Sequence, residues 1–296
     1  MDIGAAYERV RSEGIAILRP DRGLVRITGP QRVWFLQNTI TNDVEGAEQG
    51  RWVESCFLDV KGKVVAHFRV GVLDDELVLD VEAPGTRPLI DWFTLNRFRT
   101  KVEIEDLSPG CMTVVGPRAR ELAATGEVRR DGDAVIFGGS VGEVCTADVH
   151  GGDVAGAVDE VLWDVLRVEA GVGRFGVDYG PDTLPQEAGL THLISVTKGC
   201  YIGQEVMARL HFRGHVNKVL RTLRFDGWDG DLAGRSLLED GKRAGRVTSA
   251  VRSPVQGPIG LGMVRVTVPS GGVVQVEDGP DASVGPIPEG TKVSSS

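Results

Sequence analysis

Residues 198–205 of this 296-residue chain read Lys-Gly-Cys-Tyr-Ile-Gly-Gln-Glu, and the interpretation of the whole sequence starts from them. Two glycines bracket Cys200, and the run at 204–210 that follows is rich in helix-forming residues. The pattern predicts a helix that begins just after Gly203, with Cys200 at or just before its N-terminus and beside Lys198. The positive end of a helix and a neighbouring ammonium both favour a thiolate over a thiol. Glycine at position 199 would also let a ligand approach the main chain closely.

The other three cysteines lack this pattern. Cys56, Cys111 and Cys145 each stand in an apolar, strand-like run, where a free cysteine is usually buried and inert. For Cys200, the local residues alone leave two interpretations open: a reactive thiol or a packing residue. The cysteine spacings do not match a metal site and the five histidines do not supply one, so we expect no protein-built metal site.

Residues 198–205 are similar to the K-G-C-Y-x-G-Q-E signature of the YgfZ-type folate-binding proteins, relatives of the glycine-cleavage T-protein, an aminomethyltransferase. Three further stretches resemble blocks of the same family. They are Thr28–Gln37 followed by Thr41-Asn42-Asp43-Val44, then Leu166–Gly171 followed by Gly176-Val177-Asp178, and finally Leu184–Leu190. The resemblance runs from about residue 28 to residue 213 and so covers most of the chain.

The resemblance implies an α+β fold of the T-protein kind, a three-domain cloverleaf of antiparallel sheets with flanking helices and a C-terminal β-barrel. The residue pattern agrees with this, because strand signals alternate between 52 and 82, with Lys61-Gly62 and Asp74-Asp75 as hairpin turns. Short strands with glycine punctuation in the last quarter of the chain are typical of a small barrel. We place the first, folate-binding domain at 1–45 plus 112–176, the second, which carries the signature, at 46–111 plus 177–215, and the barrel at 216–296.

The resemblance also implies that tetrahydrofolate binds in a central channel and that Glu169 holds its pterin ring. A carboxylate suits this role because it accepts two parallel N–H bonds from the edge of a pterin. Without the family, Glu169 near the end of a helix would be interpreted as a solvated surface acid. We assign the chemistry to Cys200 and Lys198, and folate binding to Glu169, Tyr201, Gln204 and Glu205.

The sequence departs from the transferase where that enzyme needs an Asp to activate the folate nitrogen. In the matching stretch, Lys61–Phe68, Ala66 and His67 stand where the T-protein has two Asp residues. An imidazole is a possible base near neutral pH, but a strand explains His67 without catalysis. The departure favours a YgfZ-type role and leaves open whether the chain is an enzyme. A tetrahydrofolate-dependent aminomethyltransferase or demethylase is the alternative.

The family implies an accessory role in assembling or repairing iron–sulfur clusters in client enzymes. Cys200 would act by redox exchange, by transient contact with sulfur or iron, or by a covalent step with the folate. A net charge of −9 argues against general binding to nucleic acids or anionic membranes and suits protein partners. A group of cations between 209 and 224 marks either a solvated helix face or an anion site. Since a signal-peptide pattern and a long apolar run are both lacking, we expect a cytoplasmic protein.

Overall fold

The computed structural model describes residues 3–152, 156–227 and 230–291, and its elements fall into two units. The first unit comprises Met1–Trp163 and Leu193–Gln204, and the second comprises Asp164–His192 and Glu205–Ser296. The chain therefore passes from the first unit to the second, returns for a short segment that contains Cys200, and then leaves again. The domain boundaries given above stay a prediction, and their outer ends, residues 1–2 and 292–296, lie outside the described residues.

In its described residues, the first unit is built mainly from four helices and ten strands. The helices are α1 (Ile3–Ser12), α2 (Arg32–Gln37), α3 (Ala83–Asn96) and α4 (Pro117–Leu122). The strands are β1 (Ile15–Leu18), β2 (Arg22–Thr28), β3 (Trp52–Leu58), β4 (Val64–Val72), β5 (Glu76–Glu82), β6 (Glu103–Asp106), β7 (Cys111–Val115), β8 (Val128–Asp131), β9 (Ala134–Val141) and β10 (Val144–His150).

These strands form two antiparallel five-stranded sheets, in the orders β3-β4-β5-β2-β6 and β1-β7-β10-β9-β8. The two hairpin turns predicted at 61–62 and 74–75 are confirmed, since they join β3 to β4 and β4 to β5. Helices α2 and α3 cover one face of the first sheet. Phe93 of α3 contacts the rings of Phe35 and Phe57 edge-on, at centroid distances of 5.2 and 5.6 Å. Edge-to-face contacts of this kind add to the stability that burial alone provides.

A charged layer lies between strands of the two sheets; its buried members are Arg69, Asp80, Asp148 and His150, and the half-buried Arg22 completes it. Asp80 on β5 accepts hydrogen bonds from Arg22 Nε at 2.8 Å and Arg69 Nε at 2.7 Å, and His150 Nε2 lies 2.9 Å away. Arg69 also bonds to Asp148 on β10. Burial by itself would raise the pKa of Asp80, but the two guanidinium groups hold it well below its usual value. The two sheets are thus held together by ion pairs in this layer and by apolar packing at other places in the unit.

The remaining elements belong wholly or mainly to the second unit. They are α5 (Val161–Glu169), a short 3₁₀ turn (Thr191–Leu193), α6 (Gln204–Arg213), β11 (Lys218–Phe225), β12 (Ser236–Glu239), β13 (Lys242–Ser253), β14 (Gly257–Arg265), β15 (Val273–Val276) and β16 (Asp281–Val284). The six strands close into a barrel in the order β11-β14-β13-β12-β15-β16, filled by residues such as Leu223, Val247 and Val264. The predicted α+β class with a C-terminal β-barrel is confirmed.

The helices in the described part of the chain are all too short or too polar to cross a membrane.

Candidate thiol and folate site

The signature occupies a loop of the first unit and runs directly into α6. The helix begins at Gln204, as the sequence predicted, so Cys200 precedes it by one turn. All four cysteines lie within the described residues, and Cys200 is the exposed one. Burial raises the pKa of Cys56 and of Cys111 well above the usual value, whereas Cys145 is half-buried and accepts a hydrogen bond from Arg120 Nε at 2.9 Å. Exposure therefore distinguishes Cys200 from the other thiols.

Lys198 has a role that its position in the sequence did not reveal. Its side chain is buried, and Nζ donates hydrogen bonds to the carbonyl oxygens of Ile40 at 2.6 Å and Asn42 at 3.0 Å. The ammonium also lies 5.3 Å from the centre of the Tyr201 ring. Burial lowers the pKa of Lys198 to about 8, an effect that the nearby Asp43 carboxylate partly offsets. The amine thus ties the signature loop to the segment that follows α2.

The Thr41-Asn42-Asp43 block also binds the chain just before the signature loop and the neighbouring strand β3. The Thr41 carbonyl accepts the backbone N–H of Ser195 at 3.0 Å, while Thr41 Oγ1 accepts the N–H of Cys56 at 3.0 Å. Asn42 Nδ2 donates to the carbonyl of Glu54 at 2.9 Å. Two motifs that are far apart in the chain therefore meet beside β3. Their common family origin was the one sequence signal that could have linked them.

The two glycines of the signature differ in what surrounds them. Gly203 has a φ of 82°, and a Cβ there would lie 2.8 Å from the backbone oxygen of Asp59 in the β3–β4 turn. A Cβ at Gly199 would meet no heavy atom within 4 Å. Gly203 is therefore required by packing and backbone conformation, whereas the surroundings of Gly199 are open to an approaching molecule.

The remaining signature residues mostly make contacts within the signature loop and with the core. Tyr201 is buried, which raises the pKa of its hydroxyl to about 12, and its backbone N–H lies 3.4 Å from Gln204 Oε1. Ile202 packs against the core of the first unit. Glu205 is exposed and pairs with Arg209 at 3.0 Å, which places this acid on a solvated helix face. The folate-binding roles of Tyr201, Gln204 and Glu205 stay predictions.

Glu169 lies in the second unit, as the last residue of α5. It accepts a hydrogen bond from the hydroxyl of Ser253 at the end of β13. It also borders a cleft of about 260 Å³, whose lining includes Thr222, Arg224 and Gln256.

Two neighbours of Glu169 in its sequence block are structural anchors that the sequence interpretation missed. Arg167 and Asp178 are buried and form an ion pair at 2.7 Å. Ser249 of the barrel completes the arrangement, because its Oγ accepts from Arg167 Nη2 at 2.9 Å and donates to Asp178 Oδ1 at 2.7 Å. The strictly spaced Arg and Asp of this block were the available signal.

Ala66 and His67, the two residues compared above with Asp residues of the T-protein, both lie on β4. Ala66 is fully buried in the core of the first unit, and Gly85 of α3 lies against it. His67 Nε2 lies 2.8 Å from a Glu54 carboxylate oxygen. The strand environment therefore accounts for both residues. Among the residues that the structure describes, no group of three or more His, Cys, Asp or Glu is placed to hold a metal ion.

Known proteins share both this sequence and this fold. Residues 8–140 match the family described as the GCVT N-terminal domain, which is slightly less than half of the chain. The chain is therefore similar to members of the GcvT-like superfamily. A solved member, the glycine cleavage system aminomethyltransferase T from Bartonella henselae, superposes with a TM-score of 0.86 over 97% of this chain and 89% of its own. Sequence identity to it is 20%, so this likeness shows the fold.

Three GcvT-like relatives carry three different names. An aminomethyltransferase from Moorella thermoacetica is 28% identical over 91% of this chain and 84% of its own length. An iron-sulfur cluster assembly factor IBA57 homolog, mitochondrial, from Mycosarcoma maydis is 25% identical over 75% of this chain and 60% of its own. A tRNA-modifying protein YgfZ from Hamiltonella defensa is 28% identical over 80% of this chain and 79% of its own. Because the three sequence identities are so similar, they do not favour one of these names over the others.

Proposed function

We propose that this chain is a tetrahydrofolate-binding accessory protein that supports the assembly or repair of iron–sulfur clusters in client enzymes through Cys200. The observation that carries the proposal is an exposed thiol on a loop that Lys198 holds in place. An exposed cysteine is accessible to sulfur, iron or a partner's thiol, whereas the buried Cys56 and Cys111 are not. The cluster or its components would be the cargo of this protein.

The folate part of the proposal depends on Glu169. Its position at a cleft fits a carboxylate that accepts N–H groups from a pterin edge. Bound tetrahydrofolate would supply a one-carbon carrier or a reductant, while the protein would contribute binding and orientation. Tyr201, Gln204 and Glu205 are the further folate contacts that we propose.

The names of the relatives support the cluster role, and the composition supports the kind of partner. The Mycosarcoma maydis relative is named as a cluster assembly factor, and the Hamiltonella defensa relative as a tRNA-modifying protein. A net charge of −9 disfavours direct binding to tRNA over a broad surface, so we propose protein partners in the cytoplasm.

Complementation tests the role of the thiol. In a strain that lacks this gene, Cys200→Ser should fail to restore the activity of cluster-containing client enzymes, because serine does not supply a thiolate. Cys145→Ser is the matched control and should complement like the wild type, since Arg120 holds Cys145 at a different place. Full restoration by Cys200→Ser would remove the thiol from the mechanism.

Titration with tetrahydrofolate tests the carboxylate. Glu169→Ala should weaken binding by about tenfold or more, because two charge-assisted hydrogen bonds are lost. Glu277→Ala removes an exposed acid elsewhere in the barrel unit and should leave the affinity unchanged. Equal affinities for wild type and Glu169→Ala would exclude Glu169 from the pterin site.

The alternative is a tetrahydrofolate-dependent aminomethyltransferase or demethylase. The match to the Moorella thermoacetica enzyme over most of the chain favours it, whereas the buried Ala66 counts against it. Incubation with tetrahydrofolate and a methylamine donor distinguishes the two functions. Methyl-tetrahydrofolate that forms from the methylamine with wild type but not with His67→Ala would establish the alternative with His67 as its base.

A further inference from the structure

A small cavity lies within the second unit, away from the cleft that Glu169 borders. Its volume is about 190 Å³, and its walls are mostly apolar. The lining residues come from the loop before α6, from the end of α6, and from the tail of the chain: Gln186, Thr191, Leu210, His211, His215 and Gly290. The volume is sufficient for a small organic molecule, since an apolar cavity of about 150 Å³ binds benzene.

Polar atoms without partners gather around this cavity. Within the described residues, seven buried side-chain nitrogen or oxygen atoms lack a hydrogen-bond partner, and three of them are Gln186 Oε1, Thr191 Oγ1 and Thr291 Oγ1. Gln186 and Thr191 line the cavity, and Thr291 follows Gly290, which also lines it. Gln186 is 8% exposed, and its Nε2 lies 3.4 Å from the sulfur of Met207, which is a weak acceptor.

This grouping indicates a binding site, because buried polar groups in folded proteins normally have partners. An orphaned atom in the interior costs free energy, and a pocket that combines apolar walls with a few convergent polar groups is the usual form of a small-molecule site. Among the described residues, carboxylates, lysines and arginines do not contribute to the lining, so these walls penalise a charged ligand. The two imidazoles add flat surfaces that suit an aromatic ring.

We propose that this cavity binds a small, neutral aromatic molecule that carries an N–H or O–H group. The ring would fill the apolar volume beside Leu210, and the polar group would donate to Gln186 Oε1 or exchange hydrogen bonds with the Thr191 hydroxyl. The site involves neither Cys200 nor the proposed folate contacts. It therefore stands whether or not the proposed function is correct.

Calorimetric titration of the full chain with indole and with indene tests this site. The two molecules have nearly the same shape, but only indole has an N–H group. Indole should bind about tenfold more tightly to wild type, which is the ratio expected for one buried hydrogen bond. Equal binding of both, or binding of neither, would overturn the proposal.

Two variants identify the atoms involved. Gln186→Met and Thr191→Val keep the volume of the side chain but remove polar atoms, so at least one should abolish the preference for indole. Gln275→Met, an exposed position on β15, is the matched control and should keep it. A preference that persists in both cavity variants would contradict the assignment. Displacement of indole by tetrahydrofolate would also contradict it, because the cavity would then belong to the folate site.

Discussion

Cys200 is exposed because its neighbours in the signature point inward. Lys198 and Tyr201 are buried on either side of it, and Ile202 packs against the core. Buried residues on both sides hold the backbone around Cys200 while its side chain faces solvent. The buried signature residues therefore hold the loop around the Cys200 thiol in one place. Lys198 contributes to this through its hydrogen bonds to two backbone carbonyl oxygens.

Alanine substitutions at the two signature glycines should have different effects on the free energy of unfolding. Gly203→Ala should lower the free energy of unfolding by about 1–3 kcal/mol or more, because its positive φ is strained for alanine and Asp59 blocks the Cβ. Gly199→Ala should change it by less than about 0.5 kcal/mol, since the added methyl group meets only open space. Urea unfolding measures both variants.

The same pair tests whether a ligand approaches the main chain at Gly199. If it does, Gly199→Ala should lose complementation of client enzymes although it folds as stably as the wild type. A variant that is both stable and fully active would show that glycine at 199 has no role in ligand approach.

Lys198 should make stability depend on pH in the alkaline range. Its folded-state pKa of about 8 lies below the ordinary value of 10.5, so between these values the unfolded chain holds a proton that the folded chain has released. The free energy of unfolding therefore rises with pH across this window. Wild type should gain stability relative to Lys198→Met between about pH 8 and pH 10 in urea unfolding. If the difference in free energy of unfolding between wild type and Lys198→Met does not change with pH, the buried amine keeps an ordinary pKa. The control is Lys242→Met, since Lys242 is exposed.

At the residue scale, the sequence named candidate site residues but did not predict their contacts. It singled out Cys200, Lys198 and Glu169 because a family motif contains them. It did not predict that Lys198 bonds to Ile40 and Asn42, because such a contact depends on how distant segments meet in the fold. The Arg167–Asp178 pair was missed for the same reason.

Among the elements, the strands of the first unit have two unlike faces. One face of the β3-β4-β5-β2-β6 sheet packs its aromatic and aliphatic residues under α2 and α3. The other carries the charged layer, where Arg69 on β4 stands opposite Asp80 on β5. Charged and apolar residues alternate along these strands as they would on a solvated sheet, so the sequence pattern did not reveal that both faces are buried. The second sheet is what covers the charged face.

Asp80 should be the residue on which the charged layer most depends. Asp80→Asn should lower the free energy of unfolding by about 3–5 kcal/mol, because Arg22 and Arg69 would remain buried with one carboxylate fewer. Asp75→Asn, on an exposed turn, is the control and should have little effect. A loss smaller than about 1 kcal/mol would mean that Asp148 alone balances the two guanidinium groups.

The contribution of Asp80 should also depend on pH in the acid range. Because its pKa is depressed in the folded state, its stabilising effect is present above the ordinary value near 3.8 and is lost as the pH falls toward the folded-state value. The difference in stability between wild type and Asp80→Asn should therefore shrink below about pH 4, as urea midpoints at successive pH values would show.

Over the whole molecule, the family resemblance predicted the fold class with its C-terminal barrel, and the strand periods and glycine turns agreed with it because they report local structure directly. The division into units was harder to foresee. Leu193–Gln204 belongs to the first unit, although residues on both sides of it belong to the second. No change in composition marks these crossings, since they are set by which distant partners the short segment finds.

The return of Leu193–Gln204 to the first unit has a consequence for synthesis. A ribosome completes both sheets of that unit, and with them the carbonyls of Ile40 and Asn42, long before it adds Lys198 and Cys200. Because domains generally fold as they emerge, the Cys200 thiol is added to a unit whose two sheets are already complete. A nascent chain that ends before Lys198 thus contains both sheets but lacks the Cys200 thiol. A chain long enough to contain Cys200 already has the carbonyl oxygens that bind Lys198.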